Sequence, residues 1–322
     1  MVLQTLSTLR NLILFLGVDH VKFGVCLPNY GETGSVDGLR KVAVTAEELG
    51  YDSVWATDHI LMPTNSGTPY ERILDSITSL AYLAGITTKV KLGISSLILA
   101  MRNPVVAVKQ LASVDNFSSG RLMLATSAGW NESEFRHLGS NFHDRGRRLD
   151  ENIRLLRALW DTSVVKFEGK RSGITFEEAV FEPHPVQKKL TVWIAGNSKA
   201  AMTRAIGLGD AWHPNVFPID AFRKLVAEFR QLPGGEKKPI CVRIGMNMKS
   251  KSRDYVSAQG ERRLLLTRDM TENRNTILEL AEIGVEYYVV SSSPDGKVPI
   301  EEQLEGLKRL RDEVIEKLKP GR

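Results

Sequence analysis

Arg102–Phe135 reads RNPVVAVKQLASVDNFSSGRLMLATSAGWNESEF, which parses as one helix, one tight turn, one buried strand and one glycine-containing loop. Asn103 can cap and Pro104 can take the first helical position, where a missing N–H costs nothing. Val105, Val108, Ala112 and Asp115 follow at helical spacing, and Ser118-Ser119-Gly120 closes the helix with a residue free to adopt positive φ. Residues 121–125 are then nearly all apolar, the pattern of a strand buried on both faces of a parallel sheet. Small and polar residues surround one large aromatic directly afterwards: Ser127, Ala128, Gly129, Trp130 and Asn131. Loops at the carboxyl ends of parallel strands are where α/β proteins gather their chemistry.

Strand-like runs recur outward from this unit, at 22–27, 52–56, 91–99, 121–126, 191–195, 211–216, 240–246 and 286–291. Amphipathic helical patterns lie between most of them. Val36, Leu39, Val42, Ala46 and Leu49 share one face before the stop at Gly50, and Leu149, Ile153, Leu156 and Trp160 mark another helix. A helix opening at Thr271 carries Ile277 and Leu280, and Ile300, Leu304, Leu307, Leu310, Val314 and Leu318 line the last. Eight alternations predict an α/β fold, a (β/α)8 TIM barrel. The longest gap, between Thr126 and Thr191, exceeds what one helix needs. It holds a polar–apolar alternation over 164–182 with Gly169 and Gly173, so a hairpin insertion is expected after the fourth helix. A doubly wound open sheet fits less well, because Gly31, Gly34 and Gly38 lack dinucleotide-loop spacing. Residues 21–322 are read as a single barrel domain. Residues 1–20 are read as an extension outside it: a signal-like segment, an added helix, or residues upstream of the natural start.

Bulk properties narrow the function classes. The 322 residues are 42% hydrophobic and 25% charged, with net charge +5, so a sizeable core is available. The basic excess is spread along the chain without a Lys/Arg–aromatic stripe, which argues against nucleic acid. No apolar run reaches the ~20 residues that span a bilayer. Cys26 and Cys241 are read as free buried thiols, which excludes a disulfide framework and suits a reducing cytoplasm. His137, His143 and His184 have no partner at metal-ligand spacing, so no metal is expected. No phosphate-binding Walker loop, nucleophile elbow or Cys-x-x-Cys motif is present.

Five constellations remain. Asp58-His59 follows the second strand, where a carboxylate beside an imidazole would suit proton handling; the plain alternative is a turn cap next to an exposed histidine. Ser95-Ser96 ends the third strand and either faces a ligand or satisfies loose backbone groups. Trp130 after Gly129 is either a stacking wall for a planar ring or a core aromatic. Gly196-Asn197-Ser198 joins a strand to a helix N-terminus, a natural phosphate seat, with Ser198 as an ordinary N-cap the alternative. Trp212-His213-Pro214-Asn215 on the sixth strand either lines a substrate pocket or packs.

Taken together, Lys22-Phe-Gly-Val, Leu27-Pro-Asn-Tyr-Gly31, Ala46-Glu-Glu-Leu-Gly50, Trp55 with Asp58-His59, Arg102-Asn-Pro104, Ser119-Gly-Arg-Leu122 and Gly129-Trp-Asn-Glu132 with Glu134-Phe135 resemble the bacterial-luciferase-like flavin and deazaflavin superfamily. Arg147-Arg-Leu-Asp-Glu151, Pro185-Val-Gln187 and Gly207-Leu-Gly-Asp-Ala-Trp212-His-Pro214 extend the likeness. Asp58-His59 and Gly129-Trp130-Asn131 are most similar to the coenzyme F420-dependent oxidoreductases. That resemblance implies a barrel with its tricyclic ring across the carboxyl ends of the strands. It gives Asp58 and His59 ring contact and catalysis, and Ser95-Ser96 the place where relatives commonly carry a non-prolyl cis peptide. Gly129 and Trp130 would adjoin the cofactor, and Gly196, Asn197 and Ser198 would bind its phosphate, although relatives usually carry glycine at the position of Asn197. In the sugar-phosphate dehydrogenase branch a Glu stands where Trp130 stands here, so an apolar or planar small-molecule substrate is implied instead. An FMN-dependent monooxygenase fed by a separate reductase is the alternative enzyme, and a non-catalytic flavin-binding barrel a third reading. A homodimer is implied by analogy.

Overall fold

The computed structural model describes residues 21–64 and 66–318; the expectation for residues 1–20 lies outside them. Twelve strands are present among the described residues. β1 (Lys22–Cys26), β2 (Ser53–Ala56), β3 (Lys91–Leu97) and β4 (Leu122–Thr126) are followed by an antiparallel pair, β5 (Val164–Glu168) and β6 (Thr175–Val180). The main sheet resumes with β7 (Val192–Ala195), β8 (Ala211–His213) and β9 (Ile240–Met246). A hairpin of β10 (Asp254–Val256) and β11 (Arg262–Leu266) precedes β12 (Val285–Ser291).

Neighbours in the main sheet run β12–β1–β2–β3–β4–β7–β8–β9, and β9 pairs with β12, which closes a ring of eight parallel strands. The eight strands expected from apolar runs are these eight. Helices Val36–Glu48, Ser76–Ala84, Pro104–Phe117, Arg145–Asp161, Lys199–Leu208, Ile219–Gln231, Met270–Glu282 and Ile300–Leu310 alternate with them. The β5–β6 pair follows the fourth of these helices, where the alternation over 164–182 placed a hairpin. Asn103 caps Pro104–Phe117 by accepting from the N–H groups of Val105 and Val106, and Ser119 and Gly120 leave the helix at positive φ, 54° and 81°.

Alternation along each strand sorts the interior into two layers. Phe23, Val25, Val54, Leu92, Leu124, Val192, Val242 and Val290 face the helices. Cys26, Trp55, Met123, Ala125, Trp193, Ala211, Cys241, Tyr287 and Val289 fill the lumen. Trp55 and Trp193 stack at 4.7 Å in its centre, and Trp55 occupies the space that Gly24 and Gly93 leave. A Cβ on Gly93 would stand 2.3 Å from the Trp55 ring, so glycine is required by close approach. The indole N–H of Trp55 donates to Ser53 Oγ at 2.6 Å, which bonds Tyr287 Oη at 2.7 Å. This plug makes the floor on which the polar mouth of the barrel rests.

The β10–β11 hairpin was not anticipated. Its strands are short and flanked by charged and polar residues, with no apolar alternation to reveal them. Register comes instead from β11 running parallel to β9 and from a cross-strand Arg262–Asp254 ion pair at 2.8 Å.

Candidate active site at the carboxyl ends of the strands

One step above the tryptophan plug, the lumen-facing positions turn polar: Thr57 after β2, Ser95 on β3, His213 on β8, Arg243 on β9 and Ser291 on β12. They open into a cleft that also takes in Asp58, His59, Tyr70, Ser96, Ser127, Trp130, Gly196, Asn197 and Asn215. The β10–β11 hairpin overhangs it with Tyr255, Gln259 and Arg263.

The floor is a directional hydrogen-bond chain. His213 Nδ1 lies 2.5 Å from the Cys241 carbonyl, which only accepts, so Nδ1 carries the proton. Nε2 then accepts from Ser95 Oγ at 2.8 Å. Burial foremost, and then Arg243, push the His213 pKa down to about 4 against the opposing pull of the Cys241 carbonyl. The ring is therefore neutral at pH 7, in one tautomer. Arg243 donates to the Ser95 carbonyl at 2.7 Å and to Thr57 Oγ1 at 3.1 Å. Ser95 is thus gripped by side chain and backbone, and its peptide link to Ser96 is cis. Ser96 Oγ donates to Ser127 Oγ at 2.9 Å.

One wall is an imidazole backed by a carboxylate. His59 Nδ1 lies 2.7 Å from Glu134 Oε2, and the Ile60 and Leu61 N–H groups donate to Oε1 at 2.6 and 3.3 Å. Burial pushes the Glu134 carboxyl up, but the His59 and backbone bonds outweigh it and hold the carboxyl below its ordinary range. An ionised carboxylate only accepts, so Nδ1 donates and Nε2 is left as the free basic atom. Nε2 has no partner among the described residues. Tyr70 stacks on the His59 ring at 4.6 Å, and Trp130 meets it edge-on at 5.7 Å. Glu134 sits on the short helix Glu132–His137, which Asn131 caps by accepting from the Glu134 N–H.

Opposite this wall lies the turn from β7 into the helix Lys199–Leu208. Gly196 has φ 126°, and its N–H and carbonyl bond the His213 carbonyl and the Trp212 indole. Asn197 bridges to Asn215, donating to its carbonyl at 2.8 Å and accepting its N–H at 3.0 Å. That double bond explains why an amide stands at this place: a glycine would leave the turn untied from β8. Ser198 caps the helix by accepting the Ala201 N–H. The helix N-terminus offers first-turn N–H groups and positive dipole to an anion.

A luciferase-like monooxygenase family model matches residues 21–240. The chain belongs to that family. It is 29% identical over 216 residues to an FMNH(2)-dependent dimethylsulfone monooxygenase of Pseudomonas putida, covering 66% of this chain and 57% of that protein. It is 30% identical over 180 residues to an F420-dependent glucose-6-phosphate dehydrogenase of Amycolatopsis mediterranei (strain U-32), covering 54% of this chain and 52% of that one. The chain thus matches little more than half the length of these curated relatives. The crystal structure of monooxygenase RslO1 from Streptomyces bottropensis superposes with TM-score 0.74 at 19% identity, covering 92% of this chain and 99% of that one.

In this luciferase-like barrel, Asp58, His59, Ser95, Ser96, Trp130, Gly196 and Asn197 share one cleft. Gly129 and Ser198 stand behind it. Gly129 holds φ 81° and gives its carbonyl to Arg145, and Ser198 acts as a helix cap. The carboxylate that orients His59 is Glu134, however, and not its neighbour Asp58. The Asp58 oxygens are taken by Ser76 Oγ at 2.7 Å, Arg102 at 2.5 Å and the Ile98 N–H at 2.9 Å. Asp58 ties the second and third loops together, because adjacency in sequence sends successive side chains in different directions. Glu134 was legible only as part of a motif. Arg243 had a plainer signal, a permanent charge inside the apolar run ICVRIGM. Of the sixth-strand residues, His213 and Asn215 reach the cleft, while Trp212 packs outward on Phe229 at 4.4 Å.

Proposed function

We propose that this luciferase-like protein is a coenzyme F420-dependent oxidoreductase acting on a small organic substrate, with His59 handling the proton. The observation that carries this reading is the His59–Glu134 pair: a buried carboxylate fixes Nδ1–H, and the basic Nε2 stands unpartnered at the cleft. The cleft's residues fit a flat ring with a phosphate tail, since a glycine turn and helix N-terminus lie on one side and an aromatic–imidazole wall on the other. When bound, the deazaflavin supplies hydride transfer. The protein's own part is to hold the ring against Ser95-Ser96, seat the phosphate at Gly196-Asn197-Ser198, and take or return a proton at His59 Nε2. The resulting imidazolium is stabilised by Glu134, both side chains being buried. Trp130 and Tyr70 favour an apolar or planar substrate.

The FMN-dependent reading draws on the likeness to the dimethylsulfone monooxygenase. One assay pair separates the two. Substrate-dependent bleaching or recovery of the deazaflavin without oxygen supports the proposal; oxygen consumption that requires reduced FMN replaces it. Retention of either ring without turnover on any substrate would make the barrel a carrier. The proposal includes a cytoplasmic homodimer; Val106 and Phe117, eleven positions apart on one helix, leave large apolar side chains exposed. No helix among the described residues is long and apolar enough to cross a membrane.

A further inference from the structure

Each carboxylate that faces the cleft has its own cation. Asp58 pairs with Arg102 at 2.5 Å, and Glu261 pairs with Arg263 at 2.6 Å. Behind the wall, Glu134 holds a hydrogen bond from His59, which is a cation only when protonated. Arg243 breaks this pattern. Its guanidinium lines the floor of the cleft, and no carboxylate among the described residues lies within ion-pair distance of it. Its partners are the Ser95 carbonyl, Thr57 Oγ1 and, at 3.5 Å, Tyr30 Oη, all neutral acceptors. The titratable groups around it are neutral too: burial drives His213 to its uncharged form and holds the Cys26 thiol and the Tyr30 and Tyr255 phenols above their ordinary values. Tyr70 is the remaining phenol on that side of the cleft. A guanidinium does not shed its proton to escape burial. The floor therefore carries one positive charge that the protein does not compensate, open to whatever binds above it.

We propose that Arg243 is the counter-charge of the bound redox ring and makes the cleft hold the reduced ring more tightly than the oxidised one. This rests on the cofactor reading above. Adding a hydride to the ring brings one hydrogen and one electron pair, so the reduced ring carries one more negative charge until it takes a proton. Arg243 favours that charged state without supplying a proton of its own. The proton of the reaction goes to the opposite wall, where Glu134 awaits a cationic His59. The two unmatched charges, one on the floor and one behind the wall, are placed to receive the negative and positive halves of a separated hydride and proton.

The test measures dissociation constants of oxidised and of reduced coenzyme F420, and of oxidised and reduced FMN, for wild type, Arg243→Lys and Arg243→Met by anaerobic titration. Wild type is expected to favour the reduced form of the ring it binds. Arg243→Met should lose that preference on the order of a hundredfold, and Arg243→Lys should keep most of it. A ratio unchanged in Arg243→Met overturns the assignment. If that variant does not fold, wild type alone decides: the reduced ring bound to it should stay deprotonated at pH values where the free ring takes a proton, and a bound ring that titrates like the free one overturns the proposal. Wild type binding neither ring in either state would instead remove the cofactor reading itself, and this inference with it.

Discussion

Acidification from neutrality to pH 4 is expected to remove about 3 kcal/mol of stability through His213 alone. The ring is buried in the barrel with its pKa down from 6.5 to about 4. Between those values the unfolded chain binds a proton that the folded protein does not, so stability falls as pH falls across that window. Above 6.5 the ring is neutral in both states and below 4 it is charged in both, so this contribution is flat outside the window. Each pH unit inside it is worth about 1.4 kcal/mol, and the whole loss corresponds to roughly 5 °C in the melting midpoint for a chain of this length. Carboxylates act in the same direction. Burial pushes Glu134, Asp75 and Asp210 up, but their hydrogen-bond and cationic partners hold them below the ordinary range. His213→Asn isolates the histidine: it keeps a donor for the Cys241 carbonyl, loses the acceptor for Ser95, and cannot titrate. That lost bond is a pH-independent offset of about 1 kcal/mol. Urea unfolding of both proteins at steps between pH 7.5 and 4.5 gives the difference curve. It should be level above pH 6.5 and then move steadily as the wild type alone loses stability. Curves that stay parallel throughout would refute the tautomer and burial argument for the floor of the cleft.

Glu134→Gln keeps the shape of the wall but removes the charge behind His59; turnover should fall about a hundredfold, with the melting midpoint near that of wild type and the rate profile displaced along the pH axis. Asp58→Ala should do the reverse, costing about 3 kcal/mol in denaturant titrations, because Ser76 Oγ and the Ile98 N–H lose their buried acceptor and Arg102 keeps only Asp75, at 3.1 Å. Gly196→Val forces a β-branched side chain to φ 126°, where its Cβ meets the Ala201 methyl at 3.1 Å, and should weaken cofactor binding at least about tenfold by equilibrium titration.

The barrel was legible because parallel strands buried on both faces leave uninterrupted apolar runs, and eight such runs at helical intervals admit few other closures. The Arg102–Phe135 unit also displays its own caps and stop. The β10–β11 hairpin escaped notice because its strands are three and five residues long, the leucines of β11 follow one another without alternation, and register comes from β9. At the site, glycine and proline punctuation located the loops, yet it could not say which carboxylate would meet His59. Glu134 arrives from a helix 75 residues away, and only the order β2–β3–β4 across the sheet brings the two together. Arg243 stood out as the one charge in its apolar run, whereas His213 is lumen-facing by alternation on a three-residue strand too short to disclose its face.

A crystal structure of the protein soaked with coenzyme F420 is the most direct measurement. The ring should lie over Ser95-Ser96 between the His59 wall and Arg243, with the phosphate at the Gly196-Asn197-Ser198 turn. Density for the cofactor anywhere other than the mouth of the barrel, or a ring turned so that His59 and Arg243 both lie beyond contact, would contradict that arrangement.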